Sequence, residues 1–420
     1  MKLLKLLFAA TLPLLSTSSA LAQKYVGGDI SLLSRYEDNG ANYKDKDGQK
    51  ITDVLGFMKE QGMNTMRVRL FVEPDIATQE EKGQGVYQDL DYVIKLGKKI
   101  KDAGLKFMLD FHYSDTWADP EKQRVPASWI AFNTPVYEYI YTYTKESLQA
   151  LVDAGATPDF IQTGNEISFG MLWDSCKVSA NSNWDAYLDT NWDHLTTALK
   201  NAGKACREVC PDAKIIIHTE QCANNPTLDV AFYNRIKDNA IDYDIIGVSY
   251  YPYFKGPISN LDNGLSKLEK SFPNKTIMVV ETGCAYHYEV GDKEKQYYPL
   301  TYEGQRQFTE ELITMLNKHQ NVKGLFWWFA EANEYGLDWN TKRVTDSWYN
   351  ASLFDNETGK ALPALYELKN FVSGSTGIHS IAKELGCANN TWYSLDGRML
   401  KGKPSRSGIY INNHQKILVQ

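Results

Sequence analysis

Two carboxylates close strongly apolar runs. Residues 159–166 read "DFIQTGNE" and residues 276–281 read "TIMVVE". Strand interiors disfavour Asn, Gly and charged side chains, so Asn165-Glu166 and Glu281 mark points where buried segments reach an open surface. A pair of carboxyl groups held in different environments can divide acid and base work between them. Paired Asp/Glu residues are also the equipment for breaking a glycosidic bond. One must be protonated to donate to the leaving oxygen. The other must be ionised to attack the anomeric carbon or to activate water.

Other residues at segment ends suit such a site. Arg67 and Arg69 in "NTMRVRLFV" (64–72) can hold one carboxylate ionised, and Tyr250 can donate a hydrogen bond to the same group. Asp29, His112, Asp115, Asn165 and His218 are candidate sugar contacts, while Trp117 and Trp328 can stack on sugar faces. The two histidines fit buried, satisfied positions equally well, Trp327 fits packing, and one of the two arginines fits a supporting role in the fold. Metal hydrolysis through Asp110, His112 and Asp115 is a weaker alternative. There is no Gly-x-Ser-x-Gly elbow, no P-loop and no His-Glu-x-x-His. No metal site is expected, through these residues or through the cysteines.

The elements that position these residues alternate. Short apolar segments at 26–33, 64–72, 106–114, 159–167, 214–221, 244–252, 276–283 and 323–332 are each followed by a longer amphipathic one. In "ITDVLGFMKEQG", for example, Ile51, Val54, Leu55 and Met58 share a helical face. Continuous apolar strands separated by helices imply a parallel sheet buried on both faces. Eight such units over about 350 residues fit a single (β/α)8 TIM barrel, which is an α/β fold. No dinucleotide-binding glycine pattern follows the first strand. Parallel barrels carry their sites at the C-terminal ends of the strands, which is where the residues named above fall.

The ends of the chain differ from its middle. Lys2 and Lys5, an apolar run Leu6 to Leu15 and the small-residue stretch to Ala22 predict a signal peptide over 1–22. The mature protein is therefore expected outside the cytoplasm, in the periplasm, at the cell surface or in the medium, with no membrane span. Residues 23–372 make the catalytic barrel. Residues 373–420 form a linker and a short β-rich C-terminal tail, in which "WYSLDGRML" and "GIYINNHQKILV" predict two hairpins; the tail serves either sorting or packing. Six cysteines allow fifteen pairings, and an exported protein can oxidise them or leave buried thiols. The formal net charge of −7 and the lack of a basic tract argue against nucleic acid as a partner. The 10 Trp and 26 Tyr suit a sugar-binding cleft.

The ordered set "GGDIS", "NTMRVRLFV", "DFHYSDTWADP", "IQTGNEI", "GVSYYPY" and "VVETG" resembles glycoside hydrolase family 53, the endo-β-1,4-galactanases, from the first strand to the eighth. The resemblance implies an acid/base at Glu166, a nucleophile at Glu281 and net retention through a covalent glycosyl-enzyme. It implies a polysaccharide substrate, β-1,4-galactan or type I arabinogalactan, cut internally; separately, the protein is expected to be a monomer. Neither composition nor spacing selects galactose. Another endo-glycanase of the same clan, such as a mannanase, is the nearest alternative; a non-catalytic glycan-binding barrel would be expected to lack one of the two carboxylates. Some family members hold a structural calcium between the last loops; residues 284–302 supply no convincing acidic loop for it, and no cofactor is required. Three stretches depart from the family pattern: Ser168 where Arg is frequent, Gly283-Cys284 after Glu281, and "FWWFAEA" where Trp-Glu-Pro is expected, with Trp328 matching that Trp.

Overall fold

The computed structural model describes residues 23–131, 134–287 and 296–373, and within the tail 392–394, 399–400, 402, 404, 408–412 and 415–419. The proposed signal peptide, most of the linker, the Asp396-Gly397 turn, Cys387 and part of the segment considered for calcium lie outside them. Eight parallel strands close into a barrel. They are β1 (Tyr25–Asp29), β2 (Thr65–Leu70), β3 (Lys106–Phe111), β4 (Phe160–Thr163), β5 (Lys214–Thr219), β6 (Ile245–Tyr250), β7 (Thr276–Thr282) and β8 (Val322–Trp327). β1 pairs with both β2 and β8, which closes the ring. The expected (β/α)8 barrel is what the chain forms.

The main helices between strands are α1 (Val54–Glu60), α2 (Leu90–Asp102), α3 (Val136–Asp153), α4 (Trp192–Val209), α5 (Pro226–Asp238), α6 (Ile258–Ser271) and α7 (Tyr302–Leu316), and α8 (Pro363–Glu367) follows β8. Their sequences explain them. In α2 the Asp89 side chain caps the first turn by accepting from the Tyr92 amide. Val93, Leu96, Gly97 and Ile100 then recur at helical spacing and are buried. Each large apolar side chain buried this way contributes roughly 1.5–3 kcal/mol. The long helix α4 starts only at Trp192, because residues 170–191 form a connection with a small hairpin, Gly170–Met171 against Cys176–Lys177. A short helix, Leu33–Asn39, follows β1 and has no counterpart in the expected pattern.

The core has two layers. Met66, Val68, Leu109, Ile161, Ile217, Val248 and their neighbours pack between sheet and helices. Met108, Phe160, Ile216, Ile245, Met278, Val280 and Phe326 form a separate cluster that fills the barrel interior. Strand alternation assigns inward positions from this second group. On β3 the inward series is Met108, Asp110 and His112; on β5 it is Ile216, His218 and Glu220. Above the apolar plug the interior therefore becomes polar and charged.

β7 breaks the alternation. Val248 pairs with Val279, but the next β6 residue, Ser249, pairs with Glu281. β8 shows the same slip, from Leu325–Val279 to Trp327–Thr282. The extra residue is Val280, a β-bulge of the kind that re-aims a side chain. Met278 and Val280 both face the interior plug, and strict alternation would have turned Glu281 outward. With the bulge, Glu281 faces inward instead.

In the tail, Trp392–Tyr393, Met399–Leu400, Gly408–Asn412 and Gln415–Val419 form a four-stranded antiparallel sheet. Cys176, Cys206, Cys210, Cys222 and Cys284 are buried free thiols. Among the described residues, no helix is long and apolar enough to cross a membrane.

Candidate active site

Glu166 and Glu281 line one cavity of about 510 Å³ at the C-terminal mouth of the barrel, together with Trp117, Asn165 and Trp328. Each carboxylate is set by its strand. Beyond β4, Gly164 takes φ 100° and Glu166 itself takes φ 49°. A Cβ on Gly164 would stand 2.9 Å from Ile167 Cγ2, so glycine fits this turn on both conformation and space. A left-handed glutamate is strained by about 1–3 kcal/mol. Such strain clusters at functional sites, and here it turns the chain so that Glu166 reaches the cavity.

A hydrogen-bond chain orients Glu166. The Glu166 amide and the Gln162 side-chain amide both approach His218 Nδ1, at 3.3 and 3.0 Å. Asn165 Oδ1 stands 3.0 Å from the same nitrogen, and Nε2 lies 2.8 Å from Ser249 Oγ. Burial, aided by the nearby Arg67 charge, pushes the His218 imidazolium well below its usual range, so the ring is neutral. The Ser249 hydroxyl in turn bonds the Glu166 carboxyl. His218 is thus a buried positioning group beneath the cavity.

Glu281 has a different set of neighbours. Its Oε1 lies 2.8 Å from Arg67 Nη2, and its Oε2 accepts from the Tyr251 hydroxyl at 3.0 Å. Arg67 is wholly buried and also contacts Asp29 Oδ2 at 3.0 Å and Asp110 Oδ2 at 2.7 Å. Arg69 takes the other Asp29 oxygen at 2.9 Å and places its guanidinium 4.5 Å from the Trp117 ring centroid. His112 Nε2 stands 3.1 Å from Asp110, while Nδ1 accepts from the Ala118 amide at 3.0 Å.

The two glutamates are pushed apart electrostatically. Burial raises the Glu166 carboxyl well above the usual range, and the charges of Glu281 and then Glu220 raise it further. Burial also raises Glu281, to about 7, but Arg67 and the Tyr251 hydroxyl pull against it. Glu281 is therefore the first of the pair to ionise. Asp110, although buried, is held below the usual carboxylate range by Arg67 and His112.

Several expected contacts sit elsewhere. Tyr250 shares strand parity with Ile246 and Val248, faces the helices and donates to Gly256 O at 2.8 Å; the hydroxyl on Glu281 belongs to Tyr251, one residue on. Asp29, Arg67, Arg69 and His218 do not line the cavity; the first three form a charged floor beneath it, beside the neutral His218. Asp115 accepts from the Glu73 and Ala127 amides at 3.0 and 2.8 Å and so organises the loop after β3. Asn165 does line the cavity, and its amide bonds Arg67 and Ala118 O as well. Wall residues that the sequence reading missed are Tyr251, Phe254, Lys255 and Trp348. The "YYPYFK" run was visible as a strand end, but which of its aromatics faces inward depends on where the strand stops. Trp348 comes from the long connection after β8, for which alternation gives no rule.

A closed eight-stranded barrel with a carboxylate pair and aromatic walls at its strand ends has the build of a glycoside hydrolase. The glycosyl hydrolase family 53 model matches residues 25–368, and the chain belongs to this family. It is 30% identical over 369 residues to the arabinogalactan endo-β-1,4-galactanase of Cellvibrio japonicus, covering 82% of this chain and 90% of that one. It is 27% identical to the endo-β-1,4-galactanase of Bacillus subtilis, covering 83% and 86%. The family 53 catalytic domain of Ignisphaera aggregans superposes with a TM-score of 0.72 at 30% identity, covering 83% of this chain and 96% of that one.

Proposed function

We propose that the protein is a secreted, monomeric, retaining endo-β-1,4-galactanase that cuts internal bonds of β-1,4-galactan or type I arabinogalactan. The observation that carries the mechanism is the unequal charge support of two carboxyls that line one cavity. Glu281, paired with Arg67 and hydrogen-bonded by Tyr251, is the anion that attacks the anomeric carbon. Glu166, raised by burial and by the Glu281 charge, keeps its proton and gives it to the leaving oxygen. The same residue, now a carboxylate, takes a proton from water as that water releases the sugar from Glu281. Trp117 and Trp328 offer aromatic faces for sugar stacking. Export rests on the charged, apolar and small-residue pattern of residues 1–22. No cofactor takes part.

Digestion of linear β-1,4-galactan, followed by proton NMR of the first reducing ends, tests this reading. The expected result is oligosaccharides released with the β configuration before mutarotation. Cleavage of mannan but not galactan would refute the substrate, and α products would refute retention.

Tyrosines 250 and 251 provide a paired test. Tyr251→Phe removes a hydrogen bond to a charged group, worth about 1.5–3 kcal/mol, so kcat/KM is expected to fall roughly 10–100-fold. The Glu281 anion is then less supported, so the acidic limb of the pH–rate profile moves to higher pH. Tyr250→Phe loses a neutral bond to Gly256 O; urea denaturation should show about 1 kcal/mol less stability with kcat near wild type.

A further inference from the structure

Trp184, on the connection after β4, is held in a backbone conformation that packing does not explain. Its φ of 55° lies in the left-handed region, where a bulky side chain is strained. Tyr113, Leu172 and Phe329 carry the same strain but are buried, and Glu166 and Trp348 carry it while lining the cavity. Trp184 is 55% exposed. Hydrogen bonds nevertheless fix its backbone. Its amide donates to Asn181 O at 3.1 Å, and its carbonyl accepts from the Asn225 side-chain amide at 2.7 Å. The flanking Asn181 and Asp185 side chains bond each other at 2.8 Å. A large apolar ring is thus presented to solvent on a braced turn.

We propose that Trp184, supported by Phe169, is a stacking ledge for the β-1,4-galactan chain on the leaving-group side of the cleaved bond, beyond the cavity described above. The inference rests on the reading of galactan as substrate and Glu166 as acid. That reading fixes the side. Glu166 protonates the leaving oxygen, so the part of the polymer that departs lies toward Glu166. The 3₁₀ turn Ile167–Phe169 starts directly after Glu166. Such a turn rises about 2 Å per residue, so Phe169 is only a short step from the acid. The Phe169 and Trp184 rings then meet with centroids 6.1 Å apart and planes at 82°. Asn225, which holds the Trp184 carbonyl, is the N-cap residue of α5 and belongs to the connection after β5. Trp184 therefore lies over the same end of the barrel as Glu166, where the connections after β4 and β5 meet.

The chemistry of the ledge suits this ligand. Galactose carries its 4-hydroxyl oxygen axially, which gathers C–H bonds on one face of the ring. An indole offers a broad, rigid apolar surface to such a face, and its N–H can bond a sugar hydroxyl at the rim. Phe169 is half-buried; it supports the indole and still leaves more than half of it open. The competing role is packing, with the ring sealing the turn beneath it. The two roles differ in what truncation does. A packing residue loses stability when it is removed. A ring retained for binding, on a strained backbone, loses binding while the fold relaxes.

The test compares wild type, Trp184→Gly and Trp184→Phe. Trp184→Gly should keep or raise the urea midpoint, because glycine adopts the left-handed conformation freely. Its kcat/KM on β-1,4-galactan and long galacto-oligosaccharides should fall roughly 3–10-fold, the size of one aromatic contact, through KM rather than kcat. On an aryl β-1,4-galactobioside it should match wild type, because that leaving group ends short of the ledge. With oligosaccharides labelled at the reducing end, wild type should release longer labelled fragments and Trp184→Gly shorter ones. Trp184→Phe should restore most of both effects. Loss of folding or a clearly lower urea midpoint in Trp184→Gly would make Trp184 a packing residue and overturn the proposal. So would equal losses on polymer and galactobioside, unchanged polymer kinetics, or labelled fragments that lengthen. Wild type that cleaves only another β-glycan refutes the galactan reading, and the same comparison on oligosaccharides of that glycan then decides the ledge.

Discussion

Glu281→Ala is expected to abolish galactan turnover, by roughly 10⁴–10⁶-fold in kcat, as loss of a nucleophile does in other covalent mechanisms. The variant should still bind galacto-oligosaccharides, because the aromatic walls and Asn165 are untouched. It should also fold, since removing an acid from a buried cluster relieves repulsion from Asp29 and Asp110, although Arg67 loses one partner. The space left by the carboxylate gives the variant a diagnostic behaviour. An added small anion such as azide can enter it and attack an activated substrate from the nucleophile's face, giving an α-galactosyl product. Glu166→Ala should respond differently. Its first step survives on substrates that need no protonation, and azide attacks the glycosyl-enzyme to give the β product. Retained galactanase activity in Glu281→Ala, or the same azide product from both variants, would overturn the assignment. Isothermal titration with oligosaccharide separates lost binding from lost chemistry.

The barrel was legible because its physics is periodic. Eight apolar runs, each followed by an amphipathic one, leave few arrangements that bury every apolar face. Glu166 and Glu281 were legible for a related reason, since a carboxylate ending such a run must lie near a mouth. What alternation could not supply was orientation. Reading inward residues by parity would have turned Glu281 toward the helices, and the bulge at Val280 reverses that. Tyr250 and Tyr251 show the same difficulty. Both stand at the end of β6, and one residue of register decides which hydroxyl meets Glu281. Arg67 and Arg69 were visible as charges in an apolar strand, but their partners come from four other strands and no local pattern pairs them. Lys255 and Trp348 sit on connections whose paths depend on the packed barrel.

Arg67→Met is expected to be the most destabilising single change at the site, by about 3–5 kcal/mol or more at neutral pH, the usual cost of breaking a buried ion pair from one side. One guanidinium here contacts three carboxylates, Asp29, Asp110 and Glu281, and also Asn165 Oδ1 at 3.0 Å. A methionine matches much of the length but leaves those charges without a cation. Arg67→Lys should rescue little, because a single ammonium cannot reproduce a planar fork directed at several partners. The loss should depend on pH in a defined direction. In wild type the Asp110 carboxyl lies below its unfolded value, so its stabilisation is present above that value and fades as acid takes the pH down through the folded one. Without Arg67, burial dominates and the same carboxyls are raised above their unfolded values. They are then neutral and tolerated in acid, and they destabilise the fold as they ionise. The gap between wild type and Arg67→Met should therefore widen from pH 4 to pH 8. Urea midpoints across that range measure it, and a constant or narrowing gap would mean that Arg67 is not what keeps the floor of the site charged. Activity should fall further than stability. In whatever fraction remains folded, Glu281 no longer has the guanidinium that makes it the first of the two glutamates to ionise.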